Sequence, residues 1–204
     1  MKQTNSVQQK SEPQNKYIIN GIDVDSLFRT IEAIKQKPEI AKFNFKAKGK
    51  WINGWHNRTQ INEYYGACKN FKRSQPFIFE KDEPPILLGE DHGANPVEYV
   101  LAAIDGCLTT SLIYHAAALG INVEEVETLF SGDINLHGFL GLDESIRNGY
   151  EKIKVTFNIK ADTSKEELQK LIRLAQERSP VFDIITHPTP IEVRLGEGTQ
   201  NIKN

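Results

Sequence analysis

The segment 95–120, NPVEYVLAAIDGCLTTSLIYHAAALG, constrains the fold of this chain more than any other. Asn95 has the side chain of an N-cap, Pro96 suits the first helical position, and Glu98 falls third, giving a capping box with Asn in place of Ser or Thr. Gly120 is placed to stop the helix. A helix of about 25 residues runs to about 37 Å at 1.5 Å per residue, roughly the width of a domain. Its apolar residues, among them Leu101, Ile104, Leu108, Leu112, Ile113 and Ala116 to Ala118, point to most sides. The pattern predicts a central helix covered by other structure.

The flanks change period on either side of that helix. Residues 23–38 read as a first helix, with Leu27, Ile31 and Ile34 at helical spacing, Asp23 or Asp25 as cap and Pro38 as terminator. From 41 to 80 the alternation of Phe43 and Phe45, the Asn53-Gly54 turn, and runs at Ile61 to Cys68 and Phe77 to Phe79 predict a β-meander. Residues 81–94, rich in breakers and acids, form a loop into the central helix. Beyond it, strands are expected over Glu127 to His137 and Lys152 to Ile159. A helix capped by Ser164 and Glu167 follows, then a turn at Ser179-Pro180 and a last strand over Ile191 to Leu195. Two blocks of strand separated by a helix define an α+β chain with antiparallel sheets, not alternating βαβ units. The division is a disordered tail over 1–16, an N-terminal helical extension over 17–40, and one domain over 41–198.

Charge narrows the partners. The chain's 204 residues carry 25 Lys and Arg against 27 Asp and Glu, a formal net charge of -2. That balance, without a basic run, offers no attraction for nucleic acid or anionic lipid. The first sixteen residues lack the apolar stretch of a signal peptide, and no run of eighteen consecutive apolar residues predicts a membrane span. A cytoplasmic location is expected. Neither a cofactor motif nor a metal-ligand spacing is present, so no cofactor and no metal are expected, and the scattered His56, His92, His137 and His187 read as solvent-facing or turn residues.

Chemistry therefore rests on thiols, and there are two, Cys68 and Cys107. Cys107 on the central helix reads either as a small buried hydrophobe or as a thiolate nucleophile, which needs a cation, hydrogen-bond donors or a helix N-terminus nearby. Its own helix does not bring that end to it. On the helix wheel Val97, Val100, Ile104, Ser111 and His115 lie within about 80° of Cys107, and Glu98 lies opposite. His115 stands roughly 12 Å along the axis and reads as a core or interface residue.

Gly93-Ala94-Asn95-Pro96-Val97-Glu98, followed by apolar residues up to Cys107, resembles the G-x-N-P-x-E…A-x-x-x-C signature of the osmotically inducible protein C and organic hydroperoxide resistance (OsmC/Ohr) family. Asp82-Glu83-Pro84 and Leu88-Gly89 extend the resemblance, and Ser179-Pro180-Val181 stands where that family's Cys-Pro-Val motif is expected. Residues 41–195 carry the likeness; 1–40 do not. It implies an OsmC-like fold, with antiparallel sheets around a long central helix, in an intertwined homodimer with sites at the subunit interface. It also implies a peroxide-reactive Cys107. The resolving position holds Ser179, which cannot form a disulfide. The position ten before the cysteine, commonly glutamate in the peroxidase branches, holds Val97. The family's arginine has Leu87 at the counted position, leaving Arg73 and Arg58 as candidates, each also readable as a solvated strand charge.

Two functional expectations follow. One is a thiol-dependent peroxidase that reduces organic hydroperoxides in an oxidative stress response through Cys107. Its catalytic candidates are Cys107, Arg73, Arg58, Glu98, Ser179 and Cys68, with the sulfenic acid resolved by Cys68 or by a dithiol reductant. The other is a non-catalytic dimer that holds a small hydrophobic ligand. On a purely structural reading, a dimer module, Cys107 is inert; read without chemistry, Glu98 and Ser179 are caps and Cys68 is packed.

Overall fold

The computed structural model describes residues 16–199. The tail expected over 1–16 lies, apart from Lys16, outside the described residues. The extension begins with a two-strand ribbon, β1 (Ile18–Ile19) and β2 (Ile22–Asp23), and α1 (Val24–Gln36). Asp23 is the N-cap, accepting the Ser26 amide at 2.9 Å. Asn20, at φ 52° in the ribbon turn, fastens the extension to the domain: its amide donates to the Ile121 carbonyl at 3.0 Å and its oxygen accepts the Val123 amide at 2.8 Å. Asn20→Ala removes both bonds and leaves a non-Gly residue at positive φ. Denaturant unfolding is expected to show a loss of about 1–2 kcal/mol; an unchanged midpoint would contradict the clasp.

The strands of the first block form one antiparallel sheet. β3 (Asn44–Phe45) and β4 (Lys48–Asn53) pair successive stretches of one edge of β5 (His56–Gly66), and β6 (Lys69–Lys81) pairs the other. Gly54, at φ +49°, makes the expected turn between β4 and β5. Correction falls on 61–80: the separate strands expected there are the two arms of one long hairpin, with a bulge between Ile61 and Glu63. Its two-residue turn is Ala67-Cys68, at φ 45° and 63°. Positive φ at both turn positions matches the right-handed strand twist, so Cys68 is an exposed turn residue and not a packed strand residue.

The central helix is α2 (Pro96–Ala118), and both ends are built as the sequence predicts. Asn95 Oδ1 accepts the Val97 amide at 2.9 Å, and Glu98 Oε2 accepts the Asn95 amide at 2.8 Å. At the far end Gly120, at φ +76°, allows Ile121 N–H to reach Ala116 O at 2.9 Å and Gly120 N–H to reach Ala117 O at 3.1 Å, a Schellman stop. The expected cover on most sides is corrected: within the chain only the stripe Ile104, Leu108, Leu112, Ala116 and Ala117 is buried. By length and composition α2 would also pass for a membrane span, at mean hydropathy 1.3. Its packing on protein accounts for the buried stripe.

The second sheet pairs β7 (Val123–Asp133) with β8 (Lys152–Ala161), antiparallel. β7 starts and stops earlier than expected, because Asn135 caps a helical turn, α3 (Leu136–Phe139), by accepting the His137 amide at 3.1 Å. Next comes α4 (Lys165–Arg178), with Ser164 accepting the Glu167 amide, then α5 (Pro180–Thr186). The core forms where Leu112 and Ala116 of α2 meet Leu171 and Ala175 of α4, with Val126, Phe157 and Ile159 of the sheet packed against them. The last expected strand is not formed. Ile191, Val193 and Leu195 keep the alternating pattern but are 84%, 89% and 81% exposed, for an extended segment is a strand only when another edge pairs with it.

The loop between β6 and α2 is wired through Asp82. Its buried carboxylate accepts the amides of Glu83, Glu90 and His92 and His92 Nδ1, the last at 2.7 Å. Gly93 passes so close to the Glu80 carbonyl that a Cβ would sit 2.1 Å from that oxygen, which explains glycine at the head of the signature. His92, an exposed loop residue as expected, stacks on His56 with centroids 4.4 Å apart, whereas His56, expected to face solvent or a turn, lies half-buried on β5 with its Nε2 2.8 Å from Glu80. The His92 side-chain hydrogen bond holds the Asp82 carboxyl down to about 2, and Asp82 in turn raises His92. Folded-state stability from Asp82 is therefore present above its ordinary value of 3.8 and lost as pH falls through about 2. The His92 contribution has the opposite sign: it is full below the ordinary 6.5 and lost as pH rises through the raised value. Thermal melts across pH are expected to peak between about 4 and 6.5 from this pair. Asp82→Asn is expected to flatten the acid limb; an unaltered limb would contradict the assignment.

Candidate functional site

Cys107 lies midway along α2, half-buried, with its Sγ accepting the Val181 amide at 3.5 Å. Val181 is the second residue of α5, whose N-cap is Ser179: its Oγ accepts the Phe182 amide at 3.2 Å, and Pro180 fills the first helical position. The donor that α2 itself does not offer to its midpoint thus comes from the first turn of another helix, where unsatisfied N–H groups stand free to face a sulfur. Ser179 is 1% exposed and Cys107 receives its donor two residues further on, so the structure brings these two predicted residues to one place.

An open groove of about 560 Å³ runs past the sulfur. Cys107, Thr110, Ser111, Tyr114 and His115 line it from α2, at the i, i+3, i+4, i+7 and i+8 positions of one helical face. Arg178, the last residue of α4, and Pro180 complete the wall. His115 is held below the ordinary imidazole range, first by burial and then by the Arg178 charge. Its neutral form leaves Arg178 as the permanent cation of the groove. Sequence reasoning read His115 as a core or interface residue and did not single out Arg178. The polar face of α2 was visible in the spacing, whereas the meeting of the α4 end with that face is tertiary.

The other predicted residues lie elsewhere in the chain. Glu98 is engaged in the α2 capping box. Arg73 is held on the first sheet between the rings of Tyr64 and Phe77, at 5.0 Å and 5.2 Å. Arg58 pairs with Glu80 at 2.6 Å. Cys68 occupies the β5–β6 turn, and both cysteines are free thiols. None of these four side chains lines the Cys107 groove within one chain.

Fold and site together define an α+β protein with one thiol on a central helix, facing the first turn of a short C-terminal helix. The sequence profile of the OsmC-like protein family matches residues 89–194, and the chain belongs to that family. Solved structures agree on the fold. An OsmC-like protein from Mycoplasma pneumoniae superposes with a TM-score of 0.53 at 14% identity, covering 71% of this chain and 89% of that one. A candidate osmotic stress induced and detoxification response protein from Psychrobacter arcticus gives 0.51 at 13%, covering 70% and 88%. An OsmC-like protein of unknown function from Vibrio cholerae gives 0.50 at 14%, covering 69% and 92%. No curated protein sequence matches.

Proposed function

We propose that this protein is a thiol-dependent peroxidase that reduces organic hydroperoxides through Cys107. The observation that carries the reading is the Val181 amide aimed at Cys107 Sγ in an open groove with a cation in its wall. The Val181 N–H gives the sulfur a hydrogen-bond donor, and the open groove gives a peroxide access to it. The thiolate attacks the terminal oxygen of the hydroperoxide; the S–O bond forms, the O–O bond breaks, and the alkoxide leaves with a proton as the alcohol. Sulfur is oxidised by two electrons to a sulfenic acid and the peroxide is reduced. Because Ser179 stands at the expected resolving position and Cys68 lies off the groove, an external dithiol completes the cycle. Its first thiol condenses with the sulfenic acid and releases water, and its second displaces the Cys107 thiol from the mixed disulfide.

The working form in this reading is a homodimer. Outside its buried stripe α2 is only partly covered by its own chain, with Ala102 and Ala103 exposed, and Phe43, Phe45 and Phe77 at the first sheet and Ile191, Val193 and Leu195 near the C-terminus are exposed. Apolar area on that scale is covered by association, and a second copy supplies a free strand edge for residues 191–195. The test is hydroperoxide consumption coupled to a dithiol, with native mass spectrometry on the same preparation. Turnover and the mass of two chains are expected; a monomer with no turnover would refute the reading.

A further inference from the structure

The net charge of -2 conceals a segregation that folding makes visible. Residues 42–81, the first sheet and its lead-in, hold nine Lys and Arg and two Glu, a formal +7, so the rest of the chain carries a formal -9. These lysines form no run in the sequence; β4, β6 and the link before β4 gather them on one sheet. Lys50 stands in register directly opposite Arg58 of β5. Like charges facing each other across a ladder destabilise it. Among the described residues, the sheet's two carboxylates answer only His56, Arg58 and Lys72. Lys46, Lys48 and Lys50 are exposed, with Lys48 and Lys50 about 7 Å apart along β4. An anion laid along this row removes the repulsion.

Flat rings lie beside the cations. Where β3 gives way to β4, a cavity of about 370 Å³ is lined by Lys46, Lys72, Glu63, Asn70 and the rings of Tyr64 and Phe71. The two rings are stacked with centroids 4.9 Å apart, and Lys69 stands 5.4 Å over Phe71. Among the described residues the cavity's only carboxylate is Glu63, exposed and 3.8 Å from Lys72. Cations in a row suit a chain of anions, and stacked rings with an amide beside them suit planar, hydrogen-bonding groups carried on that chain. A lipid surface supplies the first and not the second. We infer that the first sheet binds single-stranded nucleic acid, with phosphates along Lys46, Lys48 and Lys50 and a base against Tyr64 and Phe71. Lysine contacts to phosphate read no sequence, so the binding is independent of sequence. This cavity shares no residue with the Cys107 groove, and the inference does not rest on the peroxidase reading.

Fluorescence anisotropy of the full chain with a labelled oligothymidine of about 16 nucleotides tests it. Saturable binding is expected, with log Kobs falling against log salt at a slope of about -3 for four phosphate contacts, Lys69 included. The combined variant Lys46→Gln, Lys48→Gln, Lys50→Gln is expected to bind about tenfold or more weaker, with a slope shallower by about 2. Phe71→Leu is expected to lose about fivefold or more of affinity with the slope unchanged, the split that lost stacking produces and a lost phosphate contact does not. Phe71→Tyr, which keeps a ring, is expected to bind as the parent does, and thermal melts check that each variant is folded. Absence of saturable binding, or binding indifferent to the lysine variant, overturns the proposal. Phosphatidylserine vesicles or polyglutamate bound as tightly as the oligonucleotide overturn it as well, assigning the sheet to a lipid surface or to polyanions at large.

Discussion

Cys107→Ser is expected to reduce dithiol-coupled hydroperoxide consumption to the buffer background, a loss of about 10³-fold or more, as for removal of a nucleophile. The substitution exchanges sulfur for oxygen at a half-buried position, so the packing of α2 is retained and the loss is chemical. Serine at this site accepts the Val181 amide without the nucleophilicity of a thiolate, and among the described residues no basic side chain is hydrogen-bonded to position 107. The parallel Cys68→Ser variant is expected to keep its turnover, because Cys68 belongs to the β5–β6 turn and not to the groove wall. Loss of turnover in Cys68→Ser with retention in Cys107→Ser would reverse the assignment.

Ser179→Cys carries the second largest expected effect. The Ser179 side chain caps the helix whose second residue, Val181, donates its amide to the Cys107 sulfur, so a thiol placed there stands in the turn that faces the sulfenic acid. One equivalent of organic hydroperoxide is expected to leave the reduced variant two hydrogens lighter, with a disulfide joining Cys107 to the introduced thiol. Wild-type protein under the same treatment is expected to gain one oxygen on Cys107. Sulfur is a weaker cap acceptor than the serine hydroxyl, so a stability cost of about 1 kcal/mol is expected in the reduced variant. Peptide mapping and a denaturant melt check both. A variant that overoxidises without forming the bridge would contradict the shared placement of 107 and 179.

What the sequence made legible was local. The Asn95–Glu98 capping box, the Gly120 stop, the Ser164 and Ser179 caps and the Asn53-Gly54 turn each depend on a few neighbouring residues and were found where the sequence placed them, and of the two caps open for α1 the structure uses Asp23. The misplacements arose where distant partners decide. The Ala67-Cys68 turn takes the last two residues of the strand expected to reach Cys68, and its positive φ values belong to the hairpin whose two long strands it joins. Residues 191–195 have strand composition and no edge in their own chain to pair with. The His56–His92 stack unites a strand with the loop before α2, and the Arg178 wall unites α4 with α2, so neither has a sequence spacing to betray it. Cys107 was legible as a residue; its Val181 donor was not, since α5 comes to it only through tertiary packing.

The most direct test of Cys107 as the peroxide-reactive thiol is to treat fully reduced protein with one equivalent of an organic hydroperoxide in the presence of a sulfenic-acid trap, then map the adduct by mass spectrometry. The account predicts the adduct on Cys107 alone, with one molecule of alcohol released per thiol trapped. An adduct confined to Cys68, or hydroperoxide left unconsumed with Cys107 still reduced, would contradict it.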